Sequence, residues 1–356
     1  MSRLFQARSS RAVAIWLFAV AALVFLMVLI GGATRLTDSG LSITEWKPVS
    51  GALPPLNARD WAAEFARYRQ IPEYDQVNRG MTLEGFKSIF WWEWVHRQLG
   101  RLIGLAFAVP FIVFLIRRQI PQRLLVPCVG LLAFGGLQGA VGWWMVSSGL
   151  SGRVDVLPER LAIHLGMALL IYIGLLWTAF EAMDDGDRTH PPKGWTAATL
   201  SILGLVYVQA LLGGLVAGNR AGKLYTDWPL MSGDILAPVD HSQGLFRAFL
   251  HDPALVQFDH RIGAYVLLIC ASLYVFMAFR ARMPDSVRLA AAILAGVVWL
   301  QALIGIATLM NATPVWLGVT HQIGALIVLS TATFTAWRIR RSEERLFSSG
   351  IRSRGL

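Results

Sequence analysis

"VHRQLGRLIGL" occupies residues 95–105 and "DHRIGAYVLLI" residues 259–269. Each sets a His-Arg pair at the mouth of an otherwise apolar run. Roughly 20 apolar residues in a row span a bilayer as a helix, because in lipid the backbone must satisfy its own polar groups. Working outward from these two runs, eight such segments emerge: 12–33, 90–116, 124–147, 161–181, 195–217, 257–279, 288–310 and 318–337. The composition agrees. The 356 residues are 55% hydrophobic and 15% charged, with a mean hydropathy of +0.52, whereas soluble domains carry about 25% charged residues. The expected fold class is an all-α integral membrane protein with eight transmembrane helices.

The formal charge of +10 raises nucleic acid as a partner. No nucleic acid is expected, because the basic residues sit mostly in short connections between spans. Arg3, Arg8 and Arg11 precede the first span. Arg117, Arg118 and Arg123 follow the second, and Arg280, Arg282 and Arg288 follow the sixth. The tail carries Arg338, Arg340, Arg341, Arg345, Arg352 and Arg354. Alternate connections hold only Arg153 and Arg160, or no basic residue ("NATPVWLG"). The positive-inside rule then puts both termini in the cytoplasm and the long loops 34–89 and 218–256 outside. The first segment is long for a cleaved signal and matches the fifth, so it is read as retained. Cys128 and Cys270 both fall within spans, which leaves no cysteine pair for an outer-loop disulfide.

The halves repeat. "FLMVLIGGATRL" (25–36) matches "YVQALLGGLVAG" (207–218), "LQGAVG" (137–142) matches "LQALIG" (300–305), and "AIHLGMAL" (162–169) matches "VTHQIGAL" (319–326). Four spans per repeat keep both halves in one orientation, so two four-helix bundles related by a pseudo-twofold axis along the membrane normal are expected. The division is 1–190 and 191–356. Glycines at 100, 104, 135, 139, 213 and 214 either let helices approach closely or make room for a flat cofactor.

His96, His164, His260 and His321 each lie in the first turn or two of an even-numbered span. All even-numbered spans run from outside to inside, so the four imidazoles share one depth near the outer surface. A lone intramembrane His is often bonded to a backbone carbonyl; two register-matched pairs point instead to metal ligation, proton relay or haem ligation. One His from each of two helices suits a haem held on both faces. Arg97 and Arg261 follow two of the histidines and could anchor propionates or snorkel to the interface. His190, His241 and His251 lie in loops and receive no role. The halves differ at Glu93, which stands three residues before His96, where Gln257 precedes His260. A carboxylate can move protons and an amide cannot. The N-terminal half is therefore read as the reacting site and the C-terminal half as feeding it electrons.

These residues resemble the haem A synthase family, in the proteobacterial and mitochondrial branch without an outer-loop cysteine pair. The resemblance covers nearly the whole chain. It rests on "GGATRLTDSGLS" (31–42), "PEYDQVNRGMTLEGFKSIFWWEWVHRQLGR" (72–101) and the four histidines. It implies a membrane oxidoreductase that converts haem O to haem A by oxidising a porphyrin methyl group through an alcohol, with water as the oxygen source. It implies that His260 and His321 ligate a resident haem B. It implies that His96 and His164 flank the substrate haem, with Glu93 as the acid of an E-x-x-H motif. Haem O synthase is the implied donor and the cytochrome oxidase assembly machinery the recipient. A bacterial inner membrane is the expected location, and a homo-oligomer is allowed by the glycine-rich faces. Two other readings stand beside it: a b-type haem subunit exchanging electrons with quinol, and a transporter with an internal repeat.

Overall fold

A computed structural model describes residues 3–183, 194–240, 242 and 244–352, and side chains from Arg11 to Arg341 within those ranges. The expected boundary at 190/191, His190, His241 and Arg354 lie outside the described residues, as do the side chains of Arg3, Arg8, Arg345 and Arg352. Eight helices are long and apolar enough to cross a membrane: α1 (Arg3–Leu36), α4 (Leu83–Ile116), α5 (Gln122–Ser147), α6 (Pro158–Ala182), α7 (Trp195–Gly218), α9 (Pro253–Arg280), α10 (Asp285–Met310) and α11 (Val315–Arg352). Three short ones lie in the long connections: α2 (Ala58–Tyr68), α3 (Pro72–Gln76) and α8 (Leu245–His251). The described residues include no strand. The chain is a multi-pass membrane protein.

Helix ends follow local chemistry rather than the limits of the apolar runs. The Thr82 hydroxyl accepts from the Gly85 amide at 3.2 Å and starts α4 well before the apolar run at 90, since an N-cap satisfies an otherwise orphaned donor. His96 consequently sits roughly three and a half turns into α4, not in its first turn or two. The other three histidines lie within about two turns of Pro158, Pro253 and Val315. Pro158 and Pro253 occupy first-turn positions, where the missing N–H costs nothing. Asp252 caps α9 by accepting from the Leu255 amide at 2.9 Å.

Within the N-terminal half, α1 packs on α4 and α6, and α6 on α5; within the C-terminal half, α7 packs on α9 and α11, and α11 on α10. The neighbour order is the same under the exchange α1/α7, α4/α9, α5/α10 and α6/α11. The halves meet through α6 on α7, α1 on α11, and α6 on α11. Small residues such as Ala179, Ala332 and Ala336 are fully buried, which lets helices approach where lipid offers no hydrophobic drive. Tyr172 and Ser330 share a hydrogen bond of 2.8 Å across α6 and α11. One seam departs from the exchange. α9 and α10 pack along their length, whereas α4 and α5 meet only loosely. Gly104, Gly135 and Gly139 would meet nothing if given a Cβ, so these glycines do not serve close helix packing.

The first long connection is ordered by aromatics. Tyr68, Phe86 and Phe90 are buried, and Trp61 packs edge-on to Phe90 at 4.9 Å. This cluster seats α2 and α3 against the extended start of α4.

Candidate functional site

Each of the four histidines rests on a glycine of the preceding transmembrane helix. A Cβ placed on Gly31 would come within 2.8 Å of Cε1 of His96. The corresponding distances are 2.9 Å from Gly142 to His164, 3.2 Å from Gly213 to His260 and 2.8 Å from Gly305 to His321. Only a residue without a side chain lets an imidazole lie this close. The same ring atom faces the glycine each time, so the four rings share one orientation relative to their cradles.

Three of the rings are also held from the side. The Gln209 amide nitrogen lies 3.0 Å from Nδ1 of His260 and donates to that residue's main-chain oxygen at 2.8 Å. Gln301 treats His321 in the same way at 3.0 and 2.8 Å, and Gln138 treats His164 at 3.2 and 3.0 Å. Each glutamine stands four residues before its cradle glycine. Each amide nitrogen can only donate, so it bridges the ring's Nδ1 and the residue's own main-chain oxygen and fixes where the imidazole sits. The centroids of His260 and His321 lie 6.4 Å apart with rings at 85°. Two rings joined to one metal by bonds of about 2 Å need a separation of about this size. The described residues contain no cluster of three or more His, Cys, Asp or Glu suited to a bare metal ion; the histidines come as pairs, which fits haem.

Above the histidines, the two halves use one device with different chemistry. Glu93 is buried. Its Oε1 accepts from Arg97 Nη2 at 2.6 Å and Nε at 3.0 Å, and its Oε2 accepts from the Ser42 hydroxyl and the Ile43 amide, both at 2.8 Å. Arg97 also donates to the carbonyls of Ile43 and Glu45. In the second half, Gln257 donates to the carbonyls of Ala221 and Tyr225 and accepts from Arg261 at 2.8 Å. Arg261 donates to the carbonyls of Tyr225, Asp227, Pro229 and Leu230. Each arginine therefore ties the long connection of its own half to the helix that carries the histidine. Arg97 keeps one of its five N–H groups unspent. Arg261 keeps its Nε, which is buried and unpartnered. Arg101 donates to the carbonyls of Lys47 and Pro48, so it too fastens the first loop.

Three features escaped the sequence reading. The glutamine holders were visible as Gln-x-x-x-Gly in three of the four preceding helices. An ion cluster joins the halves: Asp155 accepts from Arg35 at 3.0 Å and from Arg220 at 2.9 Å, and Asp38 pairs with both arginines. No local pattern announces it, since its members are up to 182 positions apart. The third is Glu73 in α3, buried with one carboxylate oxygen unpartnered. Burial, then the charges of Glu93, Asp155 and Asp38, push its pKa up to about 8. Cys128 and Cys270 are both free.

The chain's similarity to known proteins agrees with this geometry. It is 54% identical over 342 residues to a heme A synthase of Caulobacter sp. (strain K31), covering 96% of this chain and 100% of that protein. It is 54% identical over 343 residues to the heme A synthase of Caulobacter vibrioides, with 96% and 100% covered. It is 47% identical over 338 residues to that of Parvibaculum lavamentivorans, with 93% and 94% covered. A family model described as "Cytochrome oxidase assembly protein" matches residues 14–333, and the chain belongs to that family.

Proposed function

We infer that this protein is a membrane-bound oxidoreductase that converts haem O to haem A. The observation that carries the reading is the His-on-Gly cradle, repeated four times as two pairs, in a chain whose relatives are heme A synthases over nearly their full length. The unit 1–190 holds the substrate site, with His96 and His164 on the two faces of haem O. The unit 191–356 holds a resident haem B between His260 and His321. When bound, that haem supplies one-electron redox chemistry.

Methyl to formyl is a four-electron oxidation: R–CH₃ + H₂O → R–CHO + 4 H⁺ + 4 e⁻. The balance sets the direction of electron flow. Electrons leave the N-terminal site toward the C-terminal half and pass on to an external electron acceptor that takes up all four, the reverse of a half that feeds electrons in. With both faces of the substrate iron taken by His96 and His164, water is the oxygen source at the ring edge. Protons need an acceptor there, and Glu93 is the carboxylate beside His96. It takes one by giving up a donor, and the Ser42 hydroxyl is the cheapest to release because it carries no charge. Arg97 and Arg261 hold the outer loops in place and turn their remaining N–H groups to the propionates.

The protein sits in a bacterial inner membrane with both termini cytoplasmic. It receives haem O from haem O synthase and passes haem A to cytochrome oxidase assembly. The loose α4–α5 seam favours lateral passage of haem between lipid and the N-terminal site. Chromatography of haems extracted from the purified protein, wild type beside Glu93→Ala, tests the reading. Haem B with haem O and haem A in the wild type, and no haem A in the variant, is expected. Haem B alone in both would overturn it.

A further inference from the structure

One stretch of the first long connection, "PVSGALPPLN" (48–57), carries no charge and leaves its apolar side chains bare. Val49 is 84% exposed, and Leu53 and Leu56 are each 72% exposed. Bare apolar surface of this kind marks a membrane or a partner. Two side chains of α4 fix where the stretch lies. Gln98 donates to the carbonyls of Gly51 and Ala52 at 3.1 and 2.9 Å. Arg101 donates to those of Pro48 and Lys47 at 2.9 and 2.7 Å. Trp91, Val95, Gln98, Leu102 and Leu105 fall on one face of the helix, being spaced by four or three residues, and that face points away from His96. Trp91, Val95, Leu102 and Leu105 are exposed, as the lipid-facing stripe of a spanning helix is. Trp91 marks the interfacial level at which tryptophans gather. Gln98 lies roughly 10 Å further into the span. The stretch therefore dips past the interface along the lipid-facing side of α4.

Irregular backbone is tolerated at that depth only where its polar groups are satisfied. Pro48, Pro54 and Pro55 have no N–H to satisfy. The Gly51 amide donates to the Lys47 carbonyl and the Ala52 amide to that of Val49, both at 3.1 Å. With Gln98 and Arg101 added, the carbonyls of Lys47, Pro48, Val49, Gly51 and Ala52 all receive a donor. This gives two polar residues on a lipid-facing stripe a purpose. The start of the stretch reaches α5 instead. Trp46 stacks on Trp143, with ring centroids 5.9 Å apart and planes at 23°, and Trp143 directly follows the cradle glycine of His164. The chain thus crosses from α5 to the far side of α4, over the loosely joined seam between them. We propose that residues 46–56 form a re-entrant clasp, whose apolar arm is embedded in the acyl chains of the bilayer and whose Trp46 end closes the α4–α5 seam. Haem passing sideways through the seam must first displace Trp46 from Trp143. That consequence rests on reading the N-terminal half as the substrate haem site; the embedding of the arm does not.

Nitroxide labels on Leu53→Cys and, for contrast, on Arg59→Cys in α2 test the embedding. The labelled chains also carry Cys128→Ala and Cys270→Ala and are reconstituted in bilayers. Collision rates with oxygen and with a water-soluble nickel chelate are then read by EPR. The Leu53→Cys label should favour oxygen and the Arg59→Cys label the chelate. A Leu53→Cys label that favours the chelate would overturn the proposal, and Val49→Cys gives the same reading if Leu53→Cys fails to fold. The closure is tested by joining Trp46→Cys to Trp143→Cys, on the same background, with a bis-maleimide that contains a reducible disulfide. Haem transfer from this haem-loaded protein to excess apomyoglobin is followed by absorbance. Joining should slow severalfold the phase that His164→Ala abolishes, and reductant should restore it. A phase of that kind left unslowed would overturn the closure. The absence of any phase sensitive to His164→Ala, with the Leu53→Cys label still favouring oxygen, would instead overturn the assignment of the substrate haem site, so the two failures are distinguishable.

Discussion

The two halves of this protein share a skeleton and differ at three places around the histidine of the second helix in each. His96 has Glu93 one turn above it, Met27 at the position that is a glutamine in the other half, and a loosely joined α4–α5 seam. His260 has Gln257, Gln209 and a closed α9–α10 seam. In the N-terminal half a buried neutral amide becomes a carboxylate, a glutamine becomes a thioether, and close helix packing gives way to a looser seam. The C-terminal set places an amide against both of its histidines. The N-terminal set places an amide against one histidine and a carboxylate one turn above the other. Duplicated frameworks can diverge by a few side chains, because cradle glycines and helix order carry the geometry.

The comparison breaks hardest at the resident site. His260→Ala should lose one haem entirely and abolish haem A formation, as read by the pyridine haemochrome content of the purified protein. If the halves are interchangeable, His260→Ala and His96→Ala would give equal haem loss instead. Next is Glu93→Gln, which makes the N-terminal half resemble the C-terminal one. The haem A formation rate should fall by about 10²–10⁴-fold, the usual worth of a positioned acid or base, with both haems still bound.

Glu73 has no carboxylate counterpart in the other half's short helix, "LFRAFLH". Its pKa is raised above the unfolded value of 4.5 to about 8. Between those values the folded state binds the extra proton, so stability falls as pH rises from about 4.5 to about 8 and is level beyond. Glu73→Gln should remove that slope and raise the melting temperature at pH 8.5, an effect on the order of a few kcal/mol; an unchanged slope would place the titrating group elsewhere. The converse of Glu93→Gln is Gln257→Glu, which swaps an amide donor for an oxygen facing the carbonyls of Ala221 and Tyr225. A loss of about 2 kcal/mol is expected in detergent unfolding, the cost of unsatisfied buried acceptors. The smallest effect is Asp155→Asn. Its pairs with Arg35 and Arg220 are partly exposed, so about 1 kcal/mol is expected, reduced by added salt.

Much of this was legible in the chain. The eight spans, the repeat, the four register-matched histidines and the Glu93/Gln257 difference needed no coordinates, because the bilayer imposes span length and burial makes an intramembrane imidazole costly. The Gln-x-x-x-Gly pattern and its Met27 exception were also present, inside the very stretches that establish the repeat. They went unread because a glutamine in a helix has no meaning until its neighbour across the groove is known.

The sequence alone determined that this is an eight-span membrane protein of two like halves with paired histidines, since hydropathy, charge asymmetry and internal register are local or periodic properties. Tertiary structure decided the rest. It put each imidazole on a glycine of another helix and gave three of them an amide. It bound Arg97, Arg101 and Arg261 to loop carbonyls, and it joined Arg35, Asp38, Asp155 and Arg220 across the two halves. Apart from Arg35–Asp38, those contacts link residues from 16 to 182 positions apart. Which of many possible polar partners meet at such separations is settled by helix packing, which selects among them by distance and by the cost of leaving a buried group unpaired.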